Sequence, residues 1–116
     1  MEKDLFISEY DEEKDRMTVV LSGEIDHHSA VSVRHEIDDM LMFTRPKKLI
    51  IDLSCVDFID SSGLCLIMGR YSLMEKLGGE TVIRNPSERV KKILSLAGME
   101  RIIRIEKRKA KTNENK

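Results

Sequence analysis

Leu49-Ile50-Ile51-Asp52-Leu53, followed a few residues later by Asp60-Ser61-Ser62-Gly63-Leu64, is the stretch that decides the fold. The first run is nearly continuous in apolar character, as a central strand buried on both faces would be. A short loop then leads to a helix from about Ser61 to Leu77, with Leu64, Ile67, Met68, Tyr71 and Met74 on one stripe. Gly78-Gly79 ends that helix, supplying the left-handed backbone that helix C-termini favour. Glu80 to Arg84 reads as the next strand, so this part of the chain is a strand-helix-strand crossover.

Working outward, the same alternation continues. Upstream, Met17, Val19 and Leu21 alternate with Thr18, Val20 and Ser22, predicting a strand from Arg16 that ends near Gly23. Leu5-Phe6-Ile7 opens a shorter strand, and the charged run from Asp11 to Asp15 is the hairpin turn between the two. Between Ser29 and Thr44, Ala30, Val33, Ile37, Met40 and Leu41 share one helical face, and Pro46 stops the helix. Downstream, Asn85 or Ser87 caps a third helix whose inner face is Val90, Ile93, Leu94 and Ala97; Gly98 closes it. Ile102 to Ile105 forms a last strand. The order predicts an α/β fold: one small domain over residues 1–106 with a mixed, mostly parallel sheet of about four to five strands. Residues 107–116 are basic and have nothing to bury, which predicts a disordered tail.

Composition limits the function classes. The 116 residues suit one domain, 41% of them are hydrophobic and 35% charged, and the net charge is −1. A chain so balanced has no global field to draw in nucleic acid or acidic lipid. No apolar run approaches the ~20 residues of a membrane span, and the charged Met1-Glu2-Lys3-Asp4 does not read as a secretory signal. The expected location is the cytoplasm, with Cys55 and Cys65 as buried free thiols.

Two segments carry candidate chemistry. Asp60, Ser61, Ser62 and Gly63 stand where a strand gives way to a helix, the place where ligands bind in open α/β sheets. All three polar residues are favoured helix caps, so capping alone explains them. An anion at the helix N-terminus, including a phosphate attached to a serine, is the second reading. A nucleophilic hydrolase is the third, although the run lacks the glycine two residues before the serine that a nucleophile elbow needs. The other segment is Gly23-Glu24-Ile25-Asp26-His27-His28-Ser29-Ala30. Adjacent histidines rarely converge on one metal ion, and no further ligand spacing completes a site. Asp26 is better read as a helix cap or a surface charge, and His27, His28 and His35 as loop or solvent-facing residues. Both segments are strand-to-helix junctions, so a parallel sheet brings them to one edge.

Gly23 to Ala30, Phe58-Ile59-Asp60-Ser61-Ser62-Gly63-Leu64 and Gly69-Arg70-Tyr71, in this order and spacing, resemble the sporulation anti-sigma factor antagonists of the STAS domain family. The resemblance continues through Gly78-Gly79-Glu80 and Ile102-Ile103-Arg104 and so covers about Leu5 to Glu106. It implies a small mixed sheet with helices packed largely on one side. It also implies a non-enzymatic partner, without a cofactor of its own, for an anti-sigma factor serine kinase that uses ATP. Such a protein binds the kinase with ATP or ADP in place and frees the sigma factor that the kinase holds. Phosphorylation of Ser61 then separates the complex, and a serine phosphatase restores it. Asp26, His27, Asp60, Ser61, Ser62 and Gly63 fall in the segments that the family uses to meet its partner. The free chain is expected to be a monomer, with no nucleic acid or membrane involved. A stress-response pathway of the same partner-switching kind is the alternative. Cys65 and Leu66, where relatives often carry smaller residues, and the Lys-rich tail depart from the family pattern. A phosphate on Ser61 adds about −1.5 to −2 charges at a helix N-terminus, where negative charge is favourable. It is therefore expected to leave the helix intact and act at the interface.

Overall fold

A computed structural model describes residues 6–107. The elements are β1 (Phe6–Asp11), β2 (Arg16–Ile25), α1 (His27–Thr44), β3 (Lys48–Ile59), α2 (Ser61–Lys76), β4 (Glu80–Arg84), α3 (Glu88–Leu96) and β5 (Arg104–Glu106). A single 3-10 turn, Met99–Arg101, precedes β5. The expected basic tail lies outside the described residues beyond Lys107.

The sheet has five strands in the order β1-β2-β3-β4-β5; β1 is antiparallel to β2, and every later pair is parallel. Each crossover thus adds its strand on the same side of the one before. Right-handed crossovers that progress in one direction put all their helices on one face of the sheet. That face carries Val19 and Leu21 of β2, Leu49, Ile51 and Leu53 of β3, and Ile83 of β4. Val33, Ile37 and Leu41 of α1, Ile67 and Met74 of α2, and Val90 and Leu94 of α3 join them in one cluster. Ile50 and Val82 alternate onto the opposite face and are also fully buried, so β3 is covered on both sides at its start.

Three boundaries differ from the sequence expectation and one open choice is resolved, each for a physical reason. β2 does not stop at Gly23. That glycine adopts φ 75°, the strand bulges there, and pairing resumes through Glu24 and Ile25. β3 does not stop at Leu53 either; it continues through Ile59, where the expected loop was placed, by pairing with β2 alone. Of the two caps offered for α3, Ser87 is the one used: its hydroxyl accepts the Val90 N–H at 3.1 Å. Ile102 belongs to the turn before β5, and Ile103 is buried in the core rather than in the strand.

Two expectations about burial are corrected. Cys55 and Cys65 are both exposed, because each lies on the outward side of its element. The inner face of α2 is Gly63, Leu66, Ile67, Arg70 and Met74, whereas Leu64, Met68 and Tyr71 are only half-buried. The apolar pattern misplaced that stripe because one of its members is an arginine.

Candidate functional site

The parallel register of β2 and β3 builds the site. Ile25 is the register partner of Ile59, and each strand ends there. The next residues, Asp26 and Asp60, are the N-caps of α1 and α2. Two capped helix N-termini therefore open side by side at one edge of the domain.

Each aspartate does local work. The Asp26 Oδ1 accepts the Ser29 N–H at 3.0 Å, and the Asp26 N–H donates to the Ser29 hydroxyl at 3.1 Å. The pair is a reciprocal capping box, with serine at the position more often held by glutamate. The Ser29 N–H and hydroxyl hold the exposed Asp26 carboxyl below its usual pKa of 3.8, with a further contribution from His28. The half-buried Asp60 Oδ1 accepts from the N–H groups of Ser62, at 2.9 Å, and Gly63, at 3.2 Å. Capping, one of the readings open from sequence, therefore holds at both places.

Capping leaves the serines unused. Ser61, the first residue of α2, is exposed, and its hydroxyl makes no hydrogen bond with any described residue. Ser62 is half-buried. Gly63 faces inward: a Cβ there would overlap Ile59 Cγ1 and lie 3.1 Å from Ile59 Cδ1 and 3.2 Å from Ile25 Cβ. Close packing is what the geometry requires of this glycine. It seats the first turn of α2 on the ends of β2 and β3.

Between the helix openings lies a groove of about 280 Å³, where His27, Val31 and Arg34 of α1 face Ser61, Ser62 and Cys65 of α2. Around it, Glu24, Asp26 and Asp57 are exposed, as is part of Phe58. His28 and His35 are exposed and are not among the residues that line this groove. Among the described residues, no cluster of His, Cys, Asp and Glu is placed to hold a metal ion. No helix among them is long and apolar enough to cross a membrane.

Two features of this region were not legible in the pattern. Arg70 of α2 is buried, with its side chain 7% exposed, and its Nε lies 2.8 Å from Asp38 Oδ1 of α1. Arg70 Nη2 donates to Asp38 Oδ2 and Nη1 to the Leu66 carbonyl, both at 3.4 Å. The pair braces α1 against α2 beneath the groove. The other feature is Arg34, which sequence periodicity placed on the polar side of α1 with no partner indicated. Nothing local predicts that it lines the same groove as Ser61, since that placement depends on how two helices pack.

Residues 9–112 match the model of the STAS domain family. The chain is 35% identical over 89 residues to the anti-sigma F factor antagonist of Paenibacillus polymyxa, covering 77% of this chain and 76% of that one. It is 32% identical over 87 residues to the anti-sigma-B factor antagonist of Bacillus subtilis (strain 168), covering 75% and 78%. Among solved structures it resembles the anti-sigma factor antagonist SpoIIAA in its unphosphorylated form, with a TM-score of 0.78 at 26% identity over 91% of this chain and 90% of that one. The Bacillus SpoIIAA in its phosphorylated form superposes with a TM-score of 0.71 at 25% identity, over 91% and 93%.

Proposed function

The chain belongs to the STAS domain family, and from that premise we propose that it is an anti-sigma factor antagonist switched by phosphorylation of Ser61. In the unphosphorylated form it binds a cytoplasmic anti-sigma factor serine kinase, with ATP or ADP in the kinase site, and releases the sigma factor held there. A phosphate on Ser61 ends the complex, and a serine phosphatase restores the binding form. The chain acts as a monomer and contributes no catalytic residue of its own.

The observation that carries this reading is the Ser61 hydroxyl. It is exposed and without a hydrogen-bond partner among the described residues, on a helix turn held in place by Asp60. A kinase can therefore reach it without unfolding anything, which the half-buried Ser62 offers less well. The existence of SpoIIAA in both unphosphorylated and phosphorylated forms supports the same reading. Asp26, His27, Asp60, Ser61 and Ser62 form the partner surface, and Gly63 contributes by seating the turn from below. The acidic rim of Glu24, Asp26 and Asp57 suits a basic partner surface. A dianion added at Ser61 would clash there sterically. A loss of ~1.4 kcal/mol already weakens binding tenfold.

The sporulation pathway is the first assignment, on the similarity to an anti-sigma F factor antagonist. A stress-response pathway is the second reading, because an anti-sigma-B factor antagonist is nearly as similar. Incubation with each candidate kinase and ATP, followed by mass mapping, tests both. One phosphate at Ser61 and none in Ser61→Ala is expected, with Ser61→Ala still binding the kinase. Stoichiometric phosphate on Ser62, or on neither serine with any such kinase, refutes the assignment.

A further inference from the structure

The lining of the groove beside Ser61 holds one unpaired positive charge. Arg34 lines it, no carboxylate does, and Arg34 makes no ion pair with any described residue. Glu24, Asp26 and Asp57 stand at the rim, outside the lining, and two further carboxylates are already engaged. Asp38, one turn along α1, is held by Arg70 at 2.8 Å, and the Asp60 Oδ1 accepts two backbone N–H groups. Arg34 also acts on the buried Arg70 as a like charge, and the one carboxylate between the two helices there is the one Arg70 holds.

We propose that Arg34 is the intramolecular receptor for the Ser61 phosphate, drawing it across the groove and losing its own free charge as it does so. The inference rests on Ser61 as the phosphorylated residue. A guanidinium presents paired donors that match phosphate oxygens, and a charge-assisted pair of this kind is short and directional. Phosphorylation then changes the partner surface twice. It adds a bulky anion on α2, and it removes an available cation from α1. A kinase surface that used Arg34 in the unphosphorylated complex would find it occupied.

The test places phosphoserine at position 61 by nonsense suppression, so that no kinase is needed. Failure of any kinase to modify Ser61 would sink the functional assignment and leave this measurement readable. The second ionisation of phosphoserine, ordinarily near pH 6, is followed by phosphorus NMR in the parent, Arg34→Gln and Arg34→Lys. A nearby cation favours the dianion. The parent should therefore titrate lower than Arg34→Gln by about half a pH unit, the size of an exposed charge pair. Arg34→Lys should stay near the parent. Coincident curves for the parent and Arg34→Gln overturn the proposal. His27 lines the same groove, so the comparison is repeated with His27→Gln. Disappearance of the Arg34 dependence in that background also overturns it. Should Arg34→Gln fail to fold, the Arg34 Nε–H resonance of the parent decides the matter. It should move with the phosphorus titration, and a pH-invariant resonance refutes the pairing.

Discussion

Gly63→Ala is the perturbation that tests how the site is held. The added Cβ would overlap Ile59 Cγ1 and stand 3.2 Å from Ile25 Cβ. Ile59 can swing only within the core, and the Ile25 Cβ is fixed to the last residue of β2, so neither can give way freely. Overpacking of this kind costs about 1–3 kcal/mol. Replacing a helical glycine by alanine returns up to ~1 kcal/mol of propensity. The net expectation is a destabilisation of about 1–2 kcal/mol, read by urea unfolding with an unchanged m-value. Gly69→Ala is the internal control. It lies in the same helix, nothing stands within 4 Å of its added Cβ, and it should be neutral or gain up to ~1 kcal/mol. To relieve the clash, the first turn of α2 must lift away from the strand ends and carry Ser61 with it. Phosphorylation and kinase binding should then fall in Gly63→Ala and not in Gly69→Ala. A Gly63→Ala protein as stable as Gly69→Ala would refute the close seating of that turn.

Asp38→Ala leaves Arg70 buried without its partner. Breaking a fully buried pair costs about 3–5 kcal/mol, and because Asp38 is itself 33% exposed we expect about 2 kcal/mol by urea unfolding, much of it recovered by adding Arg70→Met. Asp26→Ala should lower the thermal midpoint, because it removes an N-cap, whereas Asp26→Asn keeps the cap and removes only the charge. A loss of kinase binding in Asp26→Asn, with the midpoint retained, would therefore assign the charge to the interface. Because the folded Asp26 carboxyl sits below its usual pKa of 3.8, its stabilising contribution is present above that pH. It should disappear as the pH falls through the lower folded value, so parent and Asp26→Ala should converge in acid melts. Ser61→Asp should shift amide resonances around the groove alone; changes spread through the sheet would contradict a switch confined to the surface.

Periodicity and punctuation were enough for the architecture. The apolar run from Leu49 to Leu53, the glycines and prolines between elements, and the alternating order of strands and helices specify a mostly parallel sheet, because each signal lies within one element. The motif from Asp60 to Gly63 was visible for the same reason: a cap, two serines and a glycine at a helix start form a local pattern. What the chain does not encode locally is which residues meet across elements. β3 runs on to Ile59 only because β2 is there to pair with it, and that register sets Asp26 beside Asp60. Arg70 is buried because Asp38, on another helix, neutralises it, so an apolar stripe could not reveal it. Cys55 and Cys65 look like core residues among their neighbours in sequence, yet both face out. The sequence offered Ser61 as a candidate within its motif; the groove it lines, together with Arg34, exists only once α1 and α2 are packed on the same face of the sheet.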